Sequence, residues 1–502
     1  MIRRKRTFAF ISLIVVMVLG GCSSGSKTEG GKEAVSGSGE MGKPYELTIA
    51  YPGENQKDLS LVQDAINQIA LRKINATVKL LPISFSAWAQ QKNLMIAGNE
   101  KLDLIVTLGS EYTTDTVKGS LLPLNDLIDK HGSDIKNAVG KAYLKGAEIN
   151  GKLYAVPSVR DFAAGSGVLM RKDLVAKYNI DVSSIRTLDD VGKVLDMIKQ
   201  KEPGITPLAN LTGATPVFFL ARGAVDGLGD LFGALPGYDN GLKVVDWYES
   251  DQYAGYLDTM RNWYTAGYLS RDVATSNVNA YDLFRSKQAF AYFASMKPGI
   301  ERQESLAAGV ELVAARLGGA YTSTSNITVA QFGIARNTKN ADKAMQFLNL
   351  MYADADIVNL FDWGVAGKHY TVKPDGLIAY PDGVSAATVG YNNSSFSFLF
   401  GNQTLSHIWE GNDPALWDKL KNFNNEATKS KALGFSFDTS PVKTEIAALM
   451  NVTSQYATSL ETGSVDTKKV LPQFIEKLKI AGIDKVIAEK QKQLNAWAAA
   501  KP

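Results

Sequence analysis

Between residues 45 and 109 the chain switches its hydrophobic period again and again, and that alternation most constrains its fold. YELTIAY (Tyr45–Tyr51) alternates apolar and polar residues, as a strand does. LSLVQDAINQIALRK (Leu59–Lys73) then puts Leu59, Val62, Ile66, Ile69 and Ala70 on one helical face. ATVKLLPI (Ala76–Ile83) predicts a second strand, and WAQQKNLMIAGNE (Trp88–Glu100) a helix that stops near Gly98. LDLIVTLG (Leu102–Gly109) is a continuous apolar run, the pattern of a strand buried on both faces. Strand, helix, strand, helix, strand at this spacing predicts a parallel α/β sheet with right-handed crossovers. In such a sheet ligands sit beyond the carboxyl ends of the strands. Here those ends are the polar loops Tyr51–Asp58 and Gly109–Asp115.

The region before Tyr45 has a different character. Arg3, Arg4, Lys5 and Arg6 precede an apolar run from Thr7 to Leu19, too short to span a bilayer comfortably, which reads as an export signal. Val18-Leu19-Gly20-Gly21-Cys22 resembles the lipobox of bacterial lipoproteins. The resemblance implies that Cys22 carries a diacylglyceryl group and becomes the first mature residue, anchored in the membrane by its acyl chains. Residues 1–21 are then the lipoprotein signal peptide, and 22–44, rich in Gly, Ser, Lys and Glu, a flexible tether with a reach of roughly 25 Å. Cys22 is the sole cysteine, so no intrachain disulfide can form and stability has to come from a large core. The chain has 54 Lys+Arg and 51 Asp+Glu; loss of the four positives in residues 1–21 leaves 50 − 51 = −1. That balance argues against a nucleic-acid partner.

About 460 residues follow the tether, more than one domain usually holds, so two or more lobes are expected. The passage NGKLYAVPSVRDFAAGSGVLMRKDLVAKYNID (Asn150–Asp181) resembles the first hinge of the extracellular solute-binding proteins, family 1, of ABC importers. SNITVAQFGIARNTKNADKAMQFLNLMYAD (Ser325–Asp354) is similar to their second hinge and the return into the first lobe. WGVAGKHYTVKPDG (Trp363–Gly376), FGNQTLSHIWEGNDP (Phe400–Pro414), PVKTEIAALMNV (Pro441–Val452) and AGIDKVIAEKQKQLNAW (Ala481–Trp497) resemble a branch of large lipoprotein receptors of Gram-positive bacteria. The resemblance implies an α/β, two-lobe clamshell like the periplasmic binding proteins, with discontinuous lobes and a hinge. The expected division is 45–158 for the first lobe, 159–328 for the second and 329–375 for the return to the first. Residues 376–502 then form a family-specific C-terminal segment packed mainly on the second lobe. It further implies a monomeric, lipid-anchored receptor on the extracellular face of the membrane that passes an oligosaccharide to the permease subunits of an ABC importer. Ala366, where the branch often has an acidic residue, and Trp363, where it has a smaller residue or Tyr, are departures that bear on which sugar is taken.

Sugar sites pair flat aromatic faces with planar polar groups that grip vicinal hydroxyls. The candidates at expected loop edges are Asn55, Gln56, Ser110, Glu111, Arg160, Asp161, Phe162, Ser295, Lys297, Trp363, Phe398 and Trp409. Arg160 and Asp161 also fit a plain hinge salt bridge. Trp263, Trp417 and Trp497 lie at helical spacing and read as packing residues, and Trp88 fits either role. No catalytic residue, cofactor or metal site is expected. His131, His369 and His407 are scattered, with no helical His pair or nearby Cys. A pair such as Asp189-Asp190 would suit glycoside hydrolysis only at a defined carboxylate spacing. A surface-anchored polysaccharide-degrading enzyme and a same-fold receptor for a peptide or other solute therefore stand as alternatives.

Overall fold

The computed structural model describes residues 42–211, 214–223 and 225–500. The expected signal peptide, most of the expected tether and Cys22 lie outside the described residues. Residues 43–502 form one compact unit built on two sheets and their cores.

The first sheet begins with β1 (Tyr45–Pro52), β2 (Ala76–Ile83), β3 (Leu104–Leu108) and β4 (Ala155–Pro157). β1 runs parallel to both β2 and β3, and the connecting helices are Leu59–Ile74 and Trp88–Ala97. Val62, Ile66, Ile69 and Ala70 are buried, as the periodicity requires, and Trp88 is core at 2% exposure. The second sheet takes β5 (Gly165–Arg171), β6 (Thr206–Leu208), β7 (Ala289–Met296) and β8 (Leu312–Arg316), in the order β8-β5-β7-β6. The chain then returns through β9 (Ala330–Ile334), which enters the first sheet antiparallel between β3 and β4, with Ala330 opposite Leu108 and Gln331 opposite Pro157. The first sheet is thus mixed, in the order β2-β1-β3-β9-β4, and not wholly parallel as β1 to β3 alone suggest. The physical reason is the direction of return: a chain coming back from the other lobe meets the sheet at the carboxyl ends of β1 and β3 and must run against them.

Later residues divide between the cores. Tyr391, Leu399 and Phe400 complete the first, where Phe400 stacks on Phe361 at 4.6 Å and meets Tyr51 edge-on at 5.1 Å. Phe435, Leu449, Leu460, Phe474, Leu478, Val486 and Leu494 belong to the second. They come from the loop before, and from, the helices Lys443–Glu461, Thr467–Ala481 and Ile483–Ala499. Trp263 is 6% exposed in that same core, stacked 6.2 Å from Phe293, so its helical spacing reflects packing.

Candidate functional site

The carboxyl ends of β1 and β3, the end of β4 and the start of β9 converge on one edge of the first sheet. The side chains there fall into two connected groups.

The first group starts at the turn after β1. Asn55 is exposed. Gln56 is tied to a distant loop: its Oε1 accepts the Asn392 amide N–H at 2.6 Å and its Nε2 donates to Asn393 Oδ1 at 3.4 Å. Asn392 Nδ2 donates to the Tyr380 hydroxyl at 2.6 Å. Tyr380 packs edge-on against Trp409 at 4.5 Å, and Trp409 against Trp363 at 5.3 Å. The Trp363 indole N–H donates to Ser406 Oγ at 2.8 Å, while Trp417 donates to the Ser406 carbonyl at 2.8 Å. Each indole is therefore oriented by its one polar atom, and both Trp363 and Trp409 remain half-buried. Trp363 is not in a loop, as its glycine-rich surroundings suggest: it is the last residue of the helix Ala355–Trp363, ended by Gly364 at φ 82°. That glycine conformation excludes a further helical turn.

The second group sits where the chain leaves β4 for the second lobe. Arg160 Nε donates to Asp161 Oδ1 at 2.6 Å, and Lys297, just past β7, reaches Asp161 Oδ2 at 3.3 Å. Burial pushes the Asp161 carboxyl up, but Lys297 and Arg160 outweigh it and hold it down at about 2. The Arg160 guanidinium also lies 5.1 Å from the centre of the Phe398 ring. Arg160, Asp161 and Lys297 border a cavity of about 250 Å³. Ser295 Oγ, buried at its wall, has no hydrogen-bond partner among the described residues. Such an atom costs stability unless water or a ligand satisfies it. Phe162 does not join the group. It is 2% exposed, packed 4.4 Å from Tyr143 in the first core, because the chain must turn one side chain inward as it crosses between lobes.

Ser110 and Glu111 lie apart from both groups. The polar stretch after β3 is not a loop throughout: Glu111 opens the helix Glu111–Val117. Its carboxylate accepts Lys92 Nζ at 2.7 Å, and Asp115 accepts the same ammonium at 2.6 Å. Lys92 is 1% exposed, so Glu111 helps to neutralise a buried charge.

Sequence reasoning missed Tyr380 and Asn392, which bridge Gln56 to the tryptophans. It also missed Arg222, Glu304 and Asn326, which line the cavity beside Arg160. The Tyr391-Asn392-Asn393 triplet in a glycine-rich stretch was a usable signal. The three cavity residues gave none, because they come from three separate segments. Among the described residues no group of three His, Cys, Asp or Glu could hold a metal ion, and no helix is long and apolar enough to cross a membrane.

With this geometry in hand, comparison with known proteins is informative. A carbohydrate ABC transporter substrate-binding protein of Streptococcus pneumoniae is 29% identical over 503 residues, 98% of each chain. The crystal structure of an N-glycan transport solute binding protein from the same species superposes with a TM-score of 0.80 at 27% identity, covering 91% of this chain and 100% of that one. That protein in complex with Man1GlcNAc gives 0.71 over 90% and 99% of the chains, and with Man5GlcNAc 0.69 over 91% and 99%. Residues 431–499 match a domain of unknown function, DUF3502. Residues 56–357, which hold both crossings and every strand of the two sheets except β1, match the bacterial extracellular solute-binding protein family, and the chain belongs to that family.

Proposed function

We propose that this protein is the lipid-anchored, extracellular receptor of an ABC importer. It captures an oligosaccharide between its lobes and delivers it to the permease as a monomer, without altering it. On this reading the first lobe comprises 45–158 and 329–375, the second 159–328, and Cys22 is the membrane anchor. The observation that carries the reading is similarity along the whole chain to a carbohydrate ABC transporter substrate-binding protein. The site is consistent with it. The Trp363, Trp409 and Tyr380 rings supply flat apolar faces, and Asn55, Arg160, Asp161, Ser295 and Lys297 supply donors and acceptors on both sides of the crossing. A ligand that touches both lobes favours whichever arrangement brings them together. The crystal structure of that relative described without a glycan superposes better than its two glycan complexes, which fits a protein whose lobes change their mutual arrangement.

A thermal-shift titration with Man1GlcNAc and Man5GlcNAc tests the substrate class. A ligand at one hundred times its Kd stabilises the folded state by about 2.7 kcal/mol. The melting midpoint should rise with glycan concentration, and the glycan should be recovered intact. A shift with peptides alone, or reproducible cleavage abolished by one carboxylate substitution, refutes the reading. For the anchor, Cys22→Ala should release the protein from the membrane fraction; retention as firm as wild type places the anchor elsewhere.

A further inference from the structure

The C-terminal helices do more than cover the second core. The stretch from Phe435 to Met450 lines a groove of about 500 Å³ that faces the first lobe across the end of β3. Hydroxyl groups dominate its polar surface: Ser110, Thr113 and Thr114 after β3, Ser325 just before the return through β9, and Ser436 and Thr439 from the C-terminal side. Apolar surface comes from Leu228, Phe232, Phe435 and Met450, the last 61% exposed. Charge is almost absent. Asp230 is the sole charged residue on the lining, and its carboxylate accepts Lys490 Nζ at 2.6 Å. The cavity at Arg160 is the opposite, with Arg160, Asp161, Arg222, Lys297 and Glu304 on its walls.

One wall of the groove is tied to the C-terminal domain. Lys490, on the last helix, is fully buried, and its ammonium also donates to the carbonyls of Gly227, Asp230 and Gly233 at 3.1, 3.3 and 2.9 Å. These donations gather residues 226–233 around a single cation and fix Leu228 at φ 53°, a conformation that non-glycine residues adopt at a cost. Leu228 and Phe232 of this clamped loop then face the hydroxyls of the first lobe. The groove and the Arg160 cavity are separated by the helix Thr324–Ile327: Asn326 lines the cavity, whereas Thr324 and Ser325 line the groove. Four residues of helix span about 6 Å.

Hydroxyls beside aromatic and aliphatic surface, with no free charge, suit a neutral carbohydrate. A charged ligand would be desolvated there without a counter-charge. We propose that the C-terminal domain, residues 431–499, is a ligand-binding element, forming with loop 226–233 a second, uncharged subsite. That subsite takes the distal sugars of a neutral oligosaccharide whose first sugars lie in the Arg160–Lys297 cavity. The inference rests on the oligosaccharide reading given above.

The test uses the full-length protein in detergent, its Met450→Glu and Ser436→Asp variants, and the short and long glycans already named as probes. Calorimetry on wild type should show tighter binding of the long glycan. Both variants should bind the short glycan within about twofold of wild type and lose about tenfold or more for the long one, or 1.4 kcal/mol. Hydrogen exchange on wild type gives a readout that needs no variant: amides from 434 to 450 should gain protection with the long glycan and not with the short. If both glycans bind, but the variants lose nothing and 434–450 stays unprotected, the C-terminal domain is not a binding element and the oligosaccharide reading stands. If wild type binds neither glycan, both readings fall together.

Discussion

Replacement of Lys490 by Met asks how much of the second core depends on one buried ammonium. Methionine keeps the length and the apolar stem of the side chain, so little volume is lost. What disappears is the charge and its donations to Asp230 Oδ1 and to three carbonyls, together with its contact over Phe437 at 5.2 Å. Removing one member of a buried ion pair typically costs about 3–5 kcal/mol. Two features set where in that range this site falls. Asp230 keeps a quarter of its surface in water, so its carboxylate can be partly rehydrated. The Gly233 carbonyl faces the buried ammonium alone, and an orphaned buried acceptor costs about 1–3 kcal/mol. We expect about 3–4 kcal/mol, and a loss of the same order for Asp230→Asn, which would leave the fully buried ammonium without its ion-pair partner. Urea unfolding followed by tryptophan fluorescence reads this directly, since Trp247 and Trp263 belong to the same core. The midpoint should fall with little change in slope. A loss below about 1 kcal/mol for Lys490→Met would show that water or a shifted loop satisfies the acceptors, and the clamp argument would be wrong.

Two further outcomes follow from the site and from the C-terminal helices. Trp363→Ala should weaken glycan binding by about 1–3 kcal/mol if the indole stacks on a sugar, taking base stacking as the analogue. Arg160→Ala should cost about 1.5–3 kcal/mol per charged hydrogen bond lost. Unchanged calorimetric affinity in both variants would remove these residues from the site. The second concerns Glu461, which accepts the Thr215 hydroxyl and, at 3.1 Å, the Tyr253 hydroxyl. Burial pushes its carboxyl from 4.5 up to about 6, against the lowering effect of those two hydroxyls. The folded state therefore holds this proton more tightly than the unfolded chain does. The stability it contributes is complete below about pH 4.5 and is lost as pH rises through about 6, a difference of about 2 kcal/mol at about 1.4 kcal/mol per pH unit. Glu461→Gln should flatten the fall in melting midpoint between pH 4.5 and 6.5, even though Asp246, also raised to about 6 by burial, still titrates. Equal slopes in the two proteins would refute the assignment.

What could be read from the sequence is what depends on neighbours in the chain. The helix Leu59–Ile74 and strand β2 stand where periodicity puts them, because their burial is dictated by local spacing. The mixed character of the first sheet could not be read from β1 to β3, since β9 joins them from more than two hundred residues away. The same distance hid most of the site. Gln56, Asn392, Tyr380, Trp409 and Trp363 form one connected path, but its links span up to 336 residues. Phe162 looked available because it sits with Arg160 and Asp161 at the expected hinge, yet in the irregular segment between β4 and β5 its ring went to the core. Lys490 left no trace, because its acceptors are mostly backbone carbonyls, which every residue carries.

On the proposed reading, the position of Arg160 couples the charged cavity to any movement of the lobes. Arg160 leaves β4 at the first crossing, lies against Phe398 of the first-lobe side, and pairs with Asp161, which in turn pairs with Lys297 of the second. Any rotation about the crossings must change at least one of these distances. The pair Asp161–Lys297 is held at 3.3 Å, long for a charged hydrogen bond and short enough to hold the Asp161 carboxyl low. A sugar hydroxyl entering here would find a carboxylate acceptor and two cationic donors already oriented by one another, beside Ser295 Oγ, which has no hydrogen-bond partner among the described residues. Preorganisation of this kind lowers the ordering cost of binding. Because Phe398 packs on the first core and lies against Arg160, a ligand held in this cavity would also bear on how the two lobes meet.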